Sequence, residues 1–319
     1  MTPEGPSPRT PGLAGILPPI TTPFDEAGEL DLGALEVNLE RYRGTGLEGL
    51  VVFGSNGEAV HLDGTERATM LHRVQSQAGS WATLVAGINE LSTRAAKRAI
   101  EDAAEAEFDY ALVITPYFYK GGMSQAVLRD FYLDLAEGSP LPLLLYTVPQ
   151  NTGVRLEPAT IAELSGHPRI AGCKDSSGDL GALAETVRRV DDDFAVLVGN
   201  AGILYPALTL GATGAVLAVA CLAPAACARL AQAVADQDHP RARHLQDQLA
   251  DVGRLVTAGH GVPGLKAALD LAGLRGGAPR GPLRPVSREV VAILQRAMDD
   301  SGLFPEEAAR PDPEPDLPL

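Results

Sequence analysis

Ala-Leu-Val-Ile at residues 111–114 and Leu-Leu-Leu-Tyr at residues 143–146 are short runs without polar alternation. Such runs are typical of strands buried on both faces, as in a parallel sheet. Runs of this kind begin near Leu13, Leu50, Thr83, Tyr110, Leu141, Ile170, Ala195 and Gly214. The seven intervals span 214 − 13 = 201 residues, or about 29 each, close to the roughly 31 residues per strand–helix unit of a barrel. We therefore predict a (β/α)8 TIM barrel.

The segments between these runs carry helix signals. Asp63-Gly-Thr-Glu66 has the form of a capping box, and Pro158 suits a first helical turn. The competing architecture is a doubly wound open sheet, which normally places a glycine-rich turn after its first strand. Residues 13–24 contain Pro-Pro-Ile-Thr-Thr-Pro instead, and the barrel is favoured.

The composition divides the chain into four parts. Residues 1–11 and 303–319 are rich in proline, with many acidic residues in the second segment, and both are predicted to be disordered tails. The barrel is assigned to residues 12–222. Residues 223–302 carry further helical patterns around a Gly/Pro-rich loop at 273–285, so we expect a C-terminal helical region packed on the barrel.

The charge balance and cysteine content exclude several classes of protein. The 319 residues include 26 Lys+Arg and 41 Asp+Glu, a net charge of −15, which argues against binding nucleic acid. No apolar stretch approaches the length of a membrane span, and no membrane association is expected. The three cysteines, at 173, 221 and 227, form no CxxC pair. A reducing, cytoplasmic location is the expectation.

Lys174 ends the sixth predicted strand, in Ile170-Ala-Gly-Cys-Lys174. The chain has only four lysines, at 97, 120, 174 and 266, while arginine supplies its other 22 basic residues. A buried lysine loses affinity for its proton and becomes a nucleophile that can condense with a carbonyl, which arginine cannot do. The alternative is an ion pair with Asp175 or Glu58.

Two neighbouring strand ends carry groups that suit such chemistry. Tyr146 ends the fifth strand, and its phenol is a candidate for proton transfer, although a rim tyrosine with a satisfied hydroxyl is the simpler interpretation. Ser55 and Asn56 stand between Gly54 and Gly57 after the second strand. Hydroxyl and amide donors on a loop with glycines suit a carboxylate, but these residues are also common in ordinary turns.

Together these motifs resemble the dihydrodipicolinate synthase / N-acetylneuraminate lyase family of pyruvate-dependent class I aldolases. The resemblance covers residues 12–300 and rests on motif order and spacing. The motifs are Pro-Ile-Thr-Thr-Pro-Phe (19–24), Gly-Ser-Asn-Gly-Glu (54–58), Thr-Pro-Tyr-Phe-Tyr (115–119), Tyr-Thr-Val-Pro (146–149) and Cys-Lys-Asp-Ser (173–176). The resemblance implies a metal-independent enzyme without a cofactor, in which the substrate forms a Schiff base with Lys174.

The same resemblance implies roles for the other site residues. Tyr146 and Ser55 would take part in proton transfer, and Ser55 with Asn56 would hold the carboxylate of a 2-oxo acid such as pyruvate. Val216 would line the floor of the site. Ser176 and Asn151 would contact the distal part of the substrate.

Within the family, the motifs look most similar to those of 4-hydroxy-2-oxoglutarate aldolase, which yields pyruvate and glyoxylate. Val-Pro-Gln-Asn-Thr-Gly (148–153), Lys-Asp-Ser-Ser-Gly-Asp (174–179) and Gly-Val-Pro-Gly-Leu-Lys (261–266) carry this similarity. Gly-Glu-Ala-Val-His-Leu (57–62) resembles 2-keto-3-deoxy sugar acid aldolases instead. Dihydrodipicolinate synthases place an arginine where this chain has Asn151, so that activity is the less favoured alternative.

The resemblance also implies a homotetramer, a dimer of dimers, in which a neighbouring subunit supplies a tyrosine to the proton relay. The matching position is Phe118, so Tyr117 or Tyr119 is expected to substitute. The six histidines suggest no metal site. Two other interpretations stay open: the sequence Gly-Asn-Ala-Gly at 199–202 would suit a phosphorylated substrate, and the chain could be a non-catalytic 2-oxo acid binding protein.

Overall fold

The computed structural model describes residues 13–304. The predicted tail at 1–11 and residues 305–319 of the second tail lie outside this range. Leu303 and Phe304 are described and pack, partly buried, against the core, so the packed chain extends two residues beyond the predicted boundary at 302.

Eight parallel strands form the centre of the molecule, in the order β1-β8-β7-β6-β5-β4-β3-β2. They are β1 (Gly15–Leu17), β2 (Gly49–Val52), β3 (Thr83–Ile88), β4 (Tyr110–Ile114), β5 (Leu143–Thr147), β6 (Ile170–Asp175), β7 (Ala195–Val198) and β8 (Gly214–Val216). Each begins within two residues of its predicted start. β1 pairs with β8, and a bridge between Pro19 and Val51 joins the segment after β1 to β2. The predicted (β/α)8 barrel is confirmed.

The helices are α1 (Leu32–Tyr42), α2 (Gly64–Ala78), α3 (Thr93–Glu105), α4 (Gln125–Ala136), α5 (Pro149–Thr152), α6 (Pro158–Ser165), α7 (Leu180–Arg189), α8 (Leu204–Thr209), α9 (Pro224–Ala235), α10 (His239–Arg254), α11 (Gly261–Leu271) and α12 (Arg288–Ser301). The predicted capping box at Asp63 and Glu66 is confirmed, because each side chain accepts a hydrogen bond from the other residue's backbone N–H. Pro158 begins α6, where its missing N–H costs no hydrogen bond.

The core has two layers that follow from the alternation of side chains along each strand. Leu112, Leu144 and Leu197 point into the barrel and form its interior packing. Residues one position away, such as Val113 and Leu145, point outward and pack against the surrounding helices. This double burial explains why the strand sequences lack polar alternation.

The C-terminal helices α10, α11 and α12 follow the eight strand–helix units. α10 runs into a π-helical segment, Leu255–Gly259, which leads to α11. Such local widening of a helix is frequent at functional sites. Residues 272–287 form the irregular connection to α12. Within residues 13–304, no helix is both long and apolar enough to span a membrane.

Candidate active site

A cleft of about 400 Å³ opens at the carboxyl ends of the strands, where barrel enzymes assemble their sites. Seven site residues predicted from the sequence line it: Ser55, Asn56, Tyr146, Asn151, Lys174, Ser176 and Val216. They come from the ends of four strands and from the loops that follow them. The structure therefore brings the whole predicted set together in one cavity.

Lys174 and Tyr146 lie side by side, because β5 and β6 pair in a register that places their Cα atoms opposite each other. Both side chains are buried, at 4% and 5% exposed, respectively. The Nζ atom of Lys174 lies 4.2 Å from the centre of the Tyr146 ring. A phenol is thus adjacent to the only buried amine that reaches the cleft among the described residues.

The ion-pair alternative for Lys174 is not what the structure shows. Glu58 pairs with a different lysine, Lys266, at 2.6 Å. Asp175 Oδ1 accepts a hydrogen bond from the backbone N–H of Ser177 at 2.7 Å. Across residues 13–304, no carboxylate lies within ion-pair distance of Lys174, so its amine is not tied up in a salt bridge.

Ser55 and Asn56 lie in a 3-10 turn, Ser55–Gly57, that ends at Glu58 in the left-handed region, with φ 52°. The hydroxyl of Thr22 donates to the carbonyl of Gly57 at 2.7 Å and fixes the turn from the side of β1. Ser55 is exposed to the cleft and Asn56 is half-buried. Their side chains therefore present a hydroxyl and an amide to the cavity.

Ser176 lies against Gly199, the residue that follows β7. A side chain at position 199 would overlap the Ser176 hydroxyl, so any larger residue would have to displace Ser176. The amide of Gln150 donates to the carbonyls of Ser176 and Ser177, at 3.0 and 2.8 Å, and joins the loops after β5 and β6. Asn151 lies beside it, exposed at the cleft rim on α5.

The C-terminal region supplies one wall of the cleft. The sequence motifs did not assign this region to the site, although the 261–266 motif belongs to it. Thr257 and Ala258 of the π-helical segment and Gly261 and Val262 at the start of α11 line the cavity. None of these residue types signals a site. Their contribution depends on how α10 and α11 pack against the barrel, which residue patterns do not reveal.

The aromatic residues after β4 divide between the core and the surface. Tyr117 is partly buried and packs against the core of its own chain. Phe118 and Tyr119 are 72% and 76% exposed, with ring centres 5.0 Å apart in an edge-to-face contact. Tyr119 is therefore more exposed to another molecule than Tyr117 is.

The three cysteines are buried free thiols. Burial raises the pKa of Cys173 well above its usual range and that of Cys227 to about 12, so neither is a thiolate near neutral pH. In the 199–202 segment, the N–H of Gly202 already donates to the Asn200 side chain at 2.9 Å, which removes one donor that a phosphate would need.

Comparisons with known proteins agree with this geometry. The model of the dihydrodipicolinate synthetase family matches residues 12–300. The 4-hydroxy-tetrahydrodipicolinate synthase of Exiguobacterium sp. is 36% identical over 288 residues, 90% of this chain and 97% of that protein. The enzyme of the same name from Methanothrix thermoacetophila is 35% identical, over 88% of this chain and 94% of that protein.

Solved structures show the same likeness. The dihydrodipicolinate synthase of Thermotoga maritima superimposes with a TM-score of 0.87 at 27% identity, covering 91% of this chain and 99% of that one. YagE of E. coli K12, a prophage protein of the dihydrodipicolinic acid synthase family solved in complex with pyruvate, gives 0.86 at 26% identity, with 91% and 99% covered. The chain thus belongs to the dihydrodipicolinate synthetase family of metal-independent class I lyases, which act on pyruvate through a lysine Schiff base and need no external cofactor.

Proposed function

We propose that Lys174 is the Schiff-base lysine of this enzyme and that Tyr146 carries protons to and from the substrate held on it. The observation that carries the proposal is the placement of the Lys174 Nζ atom 4.2 Å from the Tyr146 ring, at the bottom of a cleft. The amine attacks the carbonyl of a 2-oxo acid, water leaves, and the resulting imine draws electrons from the adjacent carbon. Loss of a proton from that carbon gives a pyruvyl enamine, which attacks the carbonyl of an aldehyde and forms a carbon–carbon bond. In the reverse direction this bond breaks, the aldehyde leaves and the enamine remains, to be protonated and hydrolysed.

The remaining roles follow from the lining of the cleft. Ser55 and Asn56 hold the substrate carboxylate with the donors of their turn, and Ser55 also assists proton transfer. Val216 forms the apolar floor under the pyruvyl methyl group. Ser176 and Asn151 face the part of the substrate that differs between aldehydes.

The first reaction to test is the synthesis of 4-hydroxy-tetrahydrodipicolinate from pyruvate and L-aspartate 4-semialdehyde. The names of the relatives favour it over the cleavage of 4-hydroxy-2-oxoglutarate that the motifs predict. None of the relatives compared above is named as a 4-hydroxy-2-oxoglutarate aldolase, so their names do not support the cleavage reaction that the motifs predict.

The chemistry of the cleft favours a second candidate, a 2-keto-3-deoxy sugar acid aldolase. Among the described residues that line the cleft, Lys174 has the only basic side chain, and Asn151 stands where dihydrodipicolinate synthases have an arginine. Amide and hydroxyl groups from Asn151, Asn200 and Ser176 surround the distal space. Such groups match the hydroxyls of a sugar acid better than a second carboxylate.

Borohydride reduction tests the mechanism, and substrate assays test the branch. Reduction in the presence of pyruvate, followed by intact mass and peptide mapping, is expected to place a pyruvyl-derived adduct on Lys174. An adduct on another lysine, or none, would refute the assignment. Condensation with L-aspartate 4-semialdehyde is then compared with pyruvate release from 2-keto-3-deoxygluconate and from 4-hydroxy-2-oxoglutarate, and the largest kcat/KM identifies the reaction. Imine formation without turnover of any of the three would favour the binding-protein alternative.

We also propose that the enzyme is a cytoplasmic homotetramer. Support for assembly comes from the exposed pair Phe118 and Tyr119 after β4 and from Val60 after β2, which is 68% exposed. Three buried free thiols suit a reducing compartment. Tyr119, rather than the partly buried Tyr117, is the tyrosine available to a neighbouring subunit. Sedimentation velocity is expected to give the mass of a tetramer.

A further inference from the structure

Outside the cleft, the described chain contains a second buried lysine. Lys266 on α11 is 1% exposed, and its Nζ atom lies 2.6 Å from Oε1 of Glu58, which is 2% exposed. Nζ also donates to the carbonyl of Ala278 at 2.8 Å and lies 4.5 Å from the centre of the Phe24 ring. Removing two charges from water is costly, and apolar residues of similar size commonly stabilise a fold as well. Stability alone therefore does not account for this pair.

Glu58 is attached directly to the turn that is assigned to the substrate carboxylate. Its backbone N–H donates to the carbonyl of Ser55 at 3.3 Å, in the left-handed conformation that ends the turn. Its Oε2 atom accepts the backbone N–H of Arg280 at 2.9 Å and lies 3.1 Å from Nδ1 of His61. The carboxylate is thus held from three directions, and the turn cannot shift without disturbing these contacts.

Lys266 connects this carboxylate to the wall of the cleft that α11 supplies. It lies on α11, and the first two residues of that helix, Gly261 and Val262, line the cavity. Burial lowers the pKa of Lys266, and the contact with Glu58 opposes that shift and favours the ammonium form. An amine engaged by a carboxylate and a carbonyl is a poor nucleophile, so Lys266 is suited to holding a neighbour in place.

We propose that Glu58 and Lys266 are positioning residues, whose buried ion pair fixes the Ser55–Gly57 turn in the geometry that receives the carboxylate of the 2-oxo acid. This inference rests on the proposed role of that turn. Small displacements of a substrate-positioning group have large effects, because the reacting atoms must meet within narrow limits of distance and angle. The pair acts through Ser55 and Asn56 and does not itself touch the substrate.

The test compares Lys266→Met, Glu58→Gln and the double variant with Asn38→Ala as matched control. Asn38 makes two hydrogen bonds of 2.7 Å to the backbone of Arg275, in the same 272–287 connection, without contacting Glu58. The readouts are the thermal midpoint and the pyruvate concentration that half-saturates borohydride trapping on Lys174. The second readout needs no knowledge of the aldehyde.

Lys266→Met is expected to lower the midpoint and to raise the half-saturating pyruvate concentration about tenfold, with the same maximal trapping. Asn38→Ala lowers the midpoint and leaves half-saturation unchanged. In the double variant, the thermal midpoint is expected to return part of the way to the wild-type value, because no buried charge remains unpaired. The half-saturating pyruvate concentration is expected to stay raised. Glu58→Gln is expected to raise the half-saturating pyruvate concentration in the same way. It replaces Lys266→Met in the test if Lys266→Met does not fold.

An unchanged pyruvate requirement in the folded pair variants would overturn the proposal, as would an equal rise in Asn38→Ala. The proposal would also be overturned if, in the double variant, the half-saturating pyruvate concentration returned toward the wild-type value together with the thermal midpoint. The pair would then be purely structural. These failures are distinct from failure of the proposed function. If the wild-type protein traps no pyruvate on Lys174, the assignment of the cleft fails, and this role of the pair fails with it.

Discussion

The hydroxyl of Ser176 occupies the space that a side chain on Gly199 would need. The two residues follow adjacent strands, and the backbone N–H of Gly199 donates to the carbonyl of Asp175 at 2.7 Å, which draws the loops together. The shape of the distal cleft therefore depends on Gly199, because the missing side chain leaves room for Ser176.

Gly199→Ala is expected to displace Ser176 and to raise KM for the aldehyde or the cleaved substrate about tenfold, as small steric changes in a pocket typically do. The pyruvate concentration that half-saturates trapping stays the same, because Ser55 and Asn56 are untouched. Steady-state kinetics measures both values. Gly121→Ala is the control, since its new methyl group meets open space. A change in pyruvate binding alone would contradict this assignment.

Lys174→Ala is expected to reduce turnover by about a thousandfold or more, because no other group in the cleft forms the imine. Lys97→Ala removes a half-exposed lysine whose nearest carboxylate is Asp134, at 3.8 Å, and is expected to retain full activity. Coupled assays of pyruvate release or consumption, with borohydride trapping, check both variants. Retained turnover in Lys174→Ala would exclude the Schiff-base mechanism at this residue.

Tyr146→Phe keeps the ring beside Lys174 and removes the proton-transferring hydroxyl. We expect kcat to fall by about a hundredfold to ten-thousandfold, the range for loss of a general acid–base group, with a smaller effect on pyruvate binding. Tyr110→Phe is the matched control, because Tyr110 is a buried phenol at the opposite end of the barrel interior. Equal losses in the two variants would assign Tyr146 a packing role.

Asn151→Arg tests why this chain departs from the arginine of dihydrodipicolinate synthases. The new cation at the exposed rim is expected to lower KM for L-aspartate 4-semialdehyde about tenfold by pairing with its carboxylate. KM for 2-keto-3-deoxygluconate is expected to rise or stay unchanged. Parallel kinetics with both compounds provides an internal control, and equal shifts for both would mean that position 151 does not select the substrate.

Arg280 ties the connection before α12 to the barrel and makes stability depend on pH. Its guanidinium donates to both carboxylate oxygens of Glu66, at 2.7 and 2.6 Å, and this hydrogen bonding lowers the pKa of Glu66. A lowered folded-state pKa contributes stability above the unfolded-state value of about 4.3 and loses it as pH falls through the folded-state pKa. The difference in unfolding free energy between wild type and Arg280→Met is therefore expected to be largest at pH 7 and to shrink toward about pH 3.

Urea denaturation at several pH values measures that difference. Glu66→Gln is the partner variant and is expected to show the same trend, because it removes the titrating group itself. A difference that stays constant from pH 7 to about pH 3 would show that Arg280 stabilises through its other contacts, the carbonyls of Gly28 and His61 and the ring of Phe24.

The barrel was predictable because each strand of a parallel barrel is buried on both faces, and Leu112 and Val113 report the two layers directly. The place of Lys174 and Tyr146 in the cleft was predictable because both stand at strand ends, where side chains converge. Thr257 and Val262 were not, since their place in the cleft depends on helix packing. Lysine is rare in this chain, and this rarity drew attention to Lys174. Lys266 is equally rare, but the sequence does not reveal that α11 brings it to Glu58.

The pair of Lys266 and Glu58 joins residues that are synthesised 208 positions apart (266 − 58). Lys174, Tyr146 and Ser55 all leave the ribosome well before Lys266 and Arg280 do. A nascent barrel therefore contains its amine and its phenol while Glu58 still lacks its two partners from α11 and the segment after it. Co-translational folding can complete the strands early, but Glu58 gains its contacts with Lys266 and Arg280 only once these residues, which lie in the last quarter of the chain, have emerged.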